Sequence, residues 1–375
     1  MKITHIIQHL GLGGAESFVV ELANQQQDDG HDVDVLMVGK TCHLRDELRV
    51  PYTVVERRGG PDLKAIQQVR HHLRVQQTEV VHAHTAPGLL YGGLGATWAR
   101  TPATIFTEHS SSSPDNQYGR KTRLLNVLAS KFDAIVTFDD ELARRLKGKP
   151  ELRRARIEVI PNGVSISDPR TLNRDESRAI LNVPKDSLLV LAVGGLRPQK
   201  NYELMIDVAR LTQAVHFDGV LRDVQFVIIG EGGDRSLLES HISSVGASNV
   251  RLFGGYENAR CLFQGADLLL NTSTWEGMPI TMLEAMAECL AVVATRTGSV
   301  ETVLGAKGIF VSFDPAAIAS TLTSLLEDPN ARAAVARAGK ERVAEKFSIQ
   351  RVAREYEELY RSTLPGTSAP DHAQG

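Results

Sequence analysis

The chain has 375 residues, of which 42% are hydrophobic and 23% charged, and a formal net charge of −3. That length suits two domains rather than one core, and the charge argues against general nucleic-acid binding, which needs a strongly basic face. The three cysteines, Cys42, Cys261 and Cys289, form no CxxC pair, so neither a disulfide framework nor a zinc knuckle is suggested and a reducing, cytoplasmic setting is expected.

The N-terminal stretch MKITHIIQHLGLGGAE is broken by Thr4, His5, Gln8 and His9 and lacks a signal-peptide cleavage pattern. Nowhere does a run of about 20 apolar residues escape polar breaks, which argues against a membrane span. In chain order, KITHIIQHL reads as a strand, AESFVVELANQQQDDG as an amphipathic helix ending at Gly30, and DVDVLMVG as the next strand. EVVHAH, ATIFTEH, FDAIVTF and RIEVIPNG continue the series. This alternation predicts a parallel sheet with helices on both faces. The stretch IPNGVSISDP, residues 160–169, has no helical period and reads as a linker. The rhythm then restarts with SLLVLAVGGL (strand), NYELMIDVARLTQAV (helix) and VQFVIIGEG (strand), followed by the strands NVRLFGGY, ADLLLNTS and LAVVATRTG. The expected architecture is α/β: two Rossmann-like domains, 1–165 and 166–345, facing across a cleft. The tail PGTSAPDHAQG, within 365–375, reads as disordered.

Ligands of open α/β sheets bind at the carboxyl ends of strands, so the strand-to-helix loops are where chemistry is sought. GLGGAE, residues 11–16, opens the first helix and could approach a phosphate through Gly14, but Glu16 stands where a dinucleotide fingerprint needs glycine. In VGGLRPQKNYELMI, Arg197 and Lys200 occupy the equivalent loop of the second half, where cations could neutralise a diphosphate leaving group without a metal. The plainer readings are a tight turn and a solvated loop. EGGDRSLLE adds a weaker glycine-rich loop. Asp32 and Asp34 alternate with valines, as a half-buried strand explains. His82 and His84 share one strand face, and two ligands do not close a zinc site. Glu108 and His109 end a strand and could reach a substrate. There is no GxSxG elbow and no P-loop.

The most informative stretch is TSTWEGMPITMLEAMAE, residues 272–288. Glu276 lies in a Gly-Pro turn at a strand exit, and Pro279 suits the first turn of the helix that follows. Backbone N–H groups around Met278–Thr281 can bind phosphate, and Glu284 projects from the same helix. A carboxylate can accept hydrogen bonds from a ribose diol. The segment could therefore grip one ligand at three points: sugar, diphosphate and ribose. The plainer reading makes Glu276 a turn cap and Glu284 a helix-surface residue.

Together GGAE, TEH, IPNGV, VGGLRPQKN, IIGEG and EGMPITMLEAMA resemble glycosyltransferase family 4, retaining enzymes of the GT-B fold, with the last stretch like that family's Glu-x7-Glu motif. The resemblance covers nearly the whole chain. It implies that Glu276 contacts the donor hexose near the reacting carbon, Glu284 holds the ribose and Lys200 the diphosphate. It places Gly14 near the phosphates and His109 beside the sugar. Gly277, Met278, Pro279 and Ile280 lie in the phosphate-binding turn. Gly230, Glu231 and the backbone of Phe253–Tyr256 would line the base pocket, and a C-terminal helix, 346–364, would cross back onto the first domain. The chain departs from the family where Gly195 replaces an arginine, with Arg197 two residues later, and where Ser165, Cys289 and Ala291 replace an aspartate, a glycine and a proline.

The expected function is transfer of a hexosyl unit from a nucleoside-diphosphate sugar to an acceptor hydroxyl, with retention and with neither metal nor cofactor, in polysaccharide or glycolipid assembly. The partners are then the donor and a lipid-linked or saccharide acceptor. Two alternatives stand beside it: a nucleotide-sugar epimerase, and a scaffold subunit of little or no activity, suggested by Gly195. Residues 118–156 carry eleven Lys/Arg against five Asp/Glu, and YGRKTRLLNVLASKF mixes basic residues with leucines, as a helix lying on an anionic bilayer would. Peripheral membrane contact is therefore expected, with a solvated basic face as the plainer account.

Overall fold

The computed structural model describes residues 1–39, 47–57, 62–109, 120–168 and 170–366. The expectation for most of the tail, 367–375, and for Tyr118 and Gly119 of the basic stretch lies outside them, as does Cys42. The chain forms two compact units, residues 1–163 with 349–375 and residues 164–348. The divisions fall at 163/164 and 348/349, against the 165/166 and 345/346 read from the sequence, and the helix Ile349–Thr363 belongs with the first unit.

The first unit holds seven strands: β1 (Lys2–Ile7), β2 (Asp32–Met37), β3 (Tyr52–Val54), β4 (Val80–His84), β5 (Ala103–Thr107), β6 (Ala134–Thr137) and β7 (Ile157–Val159). They pair in the order β3-β2-β1-β4-β5-β6-β7, all parallel. Helices on both faces explain why β4 is buried at every position and reads as a continuous run rather than an alternating one. The helix Gly14–Asp28 buries Phe18, Val19, Leu22 and Ala23, and with them Gln26. Asp62 caps the helix Leu63–Gln76 by accepting from the N–H groups of Lys64 and Ala65. The short β3 carried no hydrophobic alternation long enough to be read.

The second unit holds β8 (Leu188–Val193), β9 (Ala214–Phe217), β10 (Val220–Ile229), β11 (Val250–Gly254), β12 (Leu268–Asn271), β13 (Ala291–Thr295) and β14 (Ile309–Val311). Their order is β11-β10-β8-β12-β13-β14, with β9 pairing β10. Only β9–β10 is antiparallel among the pairs described. The helix read through Val215 ends at Leu211 instead. The missed signal is Asp218-Gly219, whose φ angles of 49° and 75° make the two-residue turn of a hairpin with Phe217 opposite Val220.

Each sheet has one place where the strand order reverses direction, between β1 and β4 in the first unit and between β8 and β12 in the second. Crevices at such points, outside the carboxyl ends of the strands, are where open α/β sheets bind ligands.

Candidate active site

In the second unit the loops leaving β8 and β12 meet at the reversal point. Lys200 Nζ lies 2.6 Å from Glu276 Oε1, with the Glu276 side chain 6% exposed. The same carboxylate oxygen accepts from Ser273 Oγ at 2.6 Å and Asn271 Nδ2 at 3.2 Å, and Gln199 Nε2 approaches Oε2 at 3.4 Å. A buried carboxylate is tolerated only when paired and hydrogen-bonded, and four donors meet that need. The two loops are sewn together elsewhere too: Thr274 N–H donates to Gln199 O at 2.9 Å, Thr272 Oγ1 to Lys200 O at 2.9 Å, and Gln199 Nε2 to Trp275 O at 2.9 Å. Burial, with the Glu276 charge nearby, pushes the Tyr202 phenol well above its ordinary range, so it keeps its proton and donates to Gly194 O.

Pro279 is the residue before the helix Ile280–Ala287 rather than inside its first turn, and it supplies no side-chain cap. The first N–H groups of any helix lack intrahelical acceptors, so this end is a favourable place for an anion. Met278, Pro279 and Ile280 are buried, Gly277 is half-buried, and Glu284 is half-buried on the same helix.

Arg197 is exposed, and its Nε would lie 3.3 Å from a Cβ built on Gly195. Its guanidinium stem therefore overlies Gly195, the position where the resemblance implies an arginine. A Cβ on Gly194 would meet Lys200 Cε and the Tyr202 hydroxyl at 3.0 Å, so the absence of a side chain there gives Lys200 its path. The loops after β8, β10 and β11 are joined by backbone bonds from Gly194 N to Ile229 O, Leu196 N to Glu231 O and Gly230 N to Gly254 O. Glu231 is exposed and pairs with Arg235 at 2.7 Å, which holds its carboxyl below the usual range. Tyr256 is half-buried, 6.1 Å from the Phe253 ring between centroids.

In the first unit Gly14 is exposed as the first residue of the helix Gly14–Asp28. His109 follows β5 and bonds through Nε2 to His84 Nδ1 at 2.9 Å. His84 and His82 are not an isolated pair. His5 joins them from β1, opposite His82 in the sheet register, and nitrogens of His5, His82 and His84 lie within 4.8 Å of one another. All six nitrogens of those rings already face a partner: His5 with His84 and Gln26, His84 with His109, and His82 with Thr107 and Tyr360. A metal ion there would have to displace those bonds. Burial lowers the pKa of His5 and of His109 to about 4, and of His82 and His84 well below the ordinary value. Sequence spacing showed only the His82–His84 pair. His5, Gln26 and Tyr360 reach the cluster through sheet order and helix docking, which no local pattern reveals.

The family description "Glycosyltransferase Family 4" matches residues 12–168, and "Glycosyl transferases group 1" matches residues 173–342. The GPI3 subunit of phosphatidylinositol N-acetylglucosaminyltransferase from Saccharomyces cerevisiae is 26% identical over 314 residues, 78% of this chain and 67% of that one. Alpha-maltose-1-phosphate synthase from Mycolicibacterium smegmatis is 27% identical over 381 residues, 93% of this chain and 95% of that one. The crystal structure of Anabaena HepE in complex with UDP and glucose covers 96% of this chain and 100% of its own with a TM-score of 0.81 at 20% identity, which shows the shared GT-B fold. The two matched regions together span most of the sequence, and the chain belongs to glycosyltransferase family 4.

Proposed function

We propose that the enzyme is a retaining hexosyltransferase that takes its donor, a nucleoside-diphosphate sugar, at the reversal point of the second sheet and needs no metal. The observation that carries this reading is the Lys200–Glu276 pair at 2.6 Å, beside an uncapped helix end and the overlying Arg197. In the step proposed, the bond from C1 of the sugar to the diphosphate oxygen breaks and its electron pair leaves with the diphosphate. Lys200, Arg197 and the helix-end N–H groups meet that charge as it develops. The acceptor oxygen bonds C1 on the same face, through an oxocarbenium-like transition state, and its proton passes to the departing phosphate oxygen. Glu276 faces the sugar, Glu284 takes the ribose diol, and Gly230, Glu231 and Tyr256 border the base. The first unit takes the acceptor.

A lipid-linked or saccharide acceptor is supported by relatives named for glycolipid or lipid-linked products, among them alpha-monoglucosyldiacylglycerol synthase of Acholeplasma laidlawii. Among the described residues no helix is long and apolar enough to cross a membrane. Peripheral contact is supported by the helix Arg120–Ala129, where Leu124 and Val127 are 60% and 41% exposed three residues apart. Arg123 on that helix is paired with Glu151 at 2.8 Å.

The test is incubation with a panel of UDP-, GDP- and ADP-hexoses, with and without vesicles of anionic lipid and with EDTA. Release of nucleoside diphosphate is expected from at least one donor, undiminished by EDTA, and proton NMR of the first-formed sugar product should show the donor's anomeric configuration. Absence of release with every donor favours the scaffold reading. An inverted product removes retention, and vesicles that fail to bind the protein at low salt remove the membrane part.

A further inference from the structure

The buried imidazoles of the first unit form one hydrogen-bonded chain with a direction. It starts at Gln26, whose Oε1 lies 2.7 Å from His5 Nε2 and whose Nε2 lies 3.2 Å from the Tyr360 hydroxyl. In this arrangement the amide oxygen faces the His5 ring and the amide N–H gives to the phenol. His5 Nε2 therefore carries the proton. A neutral imidazole has one donor and one acceptor, and burial keeps these rings neutral. His5 Nδ1 is then an acceptor, and His84 Nε2, 3.0 Å away, must donate to it. His84 Nδ1 is left as an acceptor for His109 Nε2 at 2.9 Å. One nitrogen remains at the end of the chain. It is His109 Nδ1, buried and without a hydrogen-bond partner among the described residues.

The second branch from Gln26 is consistent with the first. Tyr360 accepts from the amide and gives its own proton to His82 Nδ1 at 2.6 Å, and His82 Nε2 then donates to Thr107 Oγ1 at 2.7 Å. Burial pushes the Tyr360 phenol well up, so it has that proton to give. No group in either branch is asked to donate a proton it lacks. The opposite pattern needs the Gln26 amide reversed, so that an amide N–H meets His5 Nε2 at 2.7 Å and the amide oxygen meets the Tyr360 hydroxyl.

We propose that Gln26, His5 and His84 are positioning residues that hold His109 as its Nε2–H tautomer, so that Nδ1 offers a lone pair to a substrate hydroxyl. The second half of the statement rests on the reading of His109 as a substrate contact, and the first half does not. Such a lone pair accepts from an O–H and rejects a group that can only accept, which makes the chain a determinant of which hydroxyl the enzyme tolerates there.

The experiment uses the full chain labelled with nitrogen-15 histidine and reads ring tautomers from long-range nitrogen–proton correlations. The wild type should show His109 with Nδ1 unprotonated and Nε2 protonated, and the reverse pattern overturns the proposal without recourse to any variant. Gln26→Met keeps the length and removes the acceptor, so His109 should populate both tautomers and turnover should fall about tenfold. A folded Gln26→Met protein with an unchanged His109 spectrum overturns the positioning role. If the tautomer moves while turnover with the donor stays at the wild-type value, the lock stands and the placing of His109 against substrate falls.

Discussion

In the mechanism proposed, Lys200 and Arg197 are unequal partners for a departing diphosphate. Lys200 is held at 2.6 Å by the buried Glu276, whereas Arg197 is exposed and reaches over Gly195. An interaction that strengthens as charge develops acts mainly on turnover, and removing one such donor typically costs about 10²–10³ in rate. Lys200→Ala is expected to lose transfer by that factor at saturating donor, with circular dichroism unchanged because Ser273, Asn271 and Gln199 still bond Glu276. Arg197→Ala should cost about tenfold, as a more solvated contact would. Gly195→Arg combined with Arg197→Ala should recover most of that loss, since it returns a guanidinium to the space Arg197 leaves. A Lys200→Ala enzyme that keeps more than about half its turnover means the diphosphate lies elsewhere. Lys200 and Glu276 were legible in the sequence because each sits just past a strand end. Gln199, Asn271 and Ser273 were not legible as their partners. Residue 199 meets residue 276 only because β8 and β12 are neighbours in the sheet, which chain order alone does not say.

At the level of elements, the loops after β8, β10 and β11 act as one body. Gly230 donates its N–H to Gly254 O, and a Cβ on it would run into the carbonyl oxygen of Gly194. That neighbour is backbone in the loop that leads to Lys200, so it cannot swing aside as a side chain would. Gly230→Ala should therefore destabilise the second unit by about 1–3 kcal/mol, the usual range for forcing extra atoms into a packed site. It should also lower donor affinity, read by the shift in melting temperature that saturating UDP produces. A Gly230→Ala protein with wild-type melting and wild-type ligand shift would show that the loops yield independently. Glycine in IIGEG was visible as a loop marker, yet its reason, a close approach of two strand exits, is tertiary. The β9–β10 hairpin shows the converse. Its Asp-Gly turn was written plainly in the sequence, but the apolar residues around it continue the helix-like spacing of Tyr202–Leu211, and that period masked the turn.

Across the whole molecule, acid should act first on the unit that holds the histidine chain. His5 and His109 have folded-state pKa values of about 4, lowered chiefly by burial, and His82 and His84 lie well below the ordinary value for the same reason. His31 is lowered in the same direction, again first by burial. In the unfolded chain each would titrate at about 6.5. Between those values the unfolded state binds more protons than the native one, so stability rises with pH and is lost as pH falls from about 6.5 toward 4. Each such proton steepens the dependence by about 1.4 kcal/mol per pH unit. The carboxylates that ion pairs depress, Asp168, Glu231 and Glu357, act below their ordinary values of 3.8 for the aspartate and 4.5 for the glutamates, and leave the range above pH 5 clear. Each unit carries one tryptophan, Trp98 in the first and Trp275 in the second, so fluorescence can follow them separately in Trp98→Phe and Trp275→Phe proteins. Melting of the first unit, followed by Trp98, should drop steeply between pH 6.5 and 5, while melting followed by Trp275 should drop less. The sheet-reversal point explains why the cluster sits where it does, since β1 and β4 bring His5 and His82 into register at the place where an open sheet leaves room for a ligand. A flat pH response of the Trp98 signal over this range would mean that the buried rings accept protons in the native state, and with that the neutral chain ending at His109 Nδ1 would be lost as well.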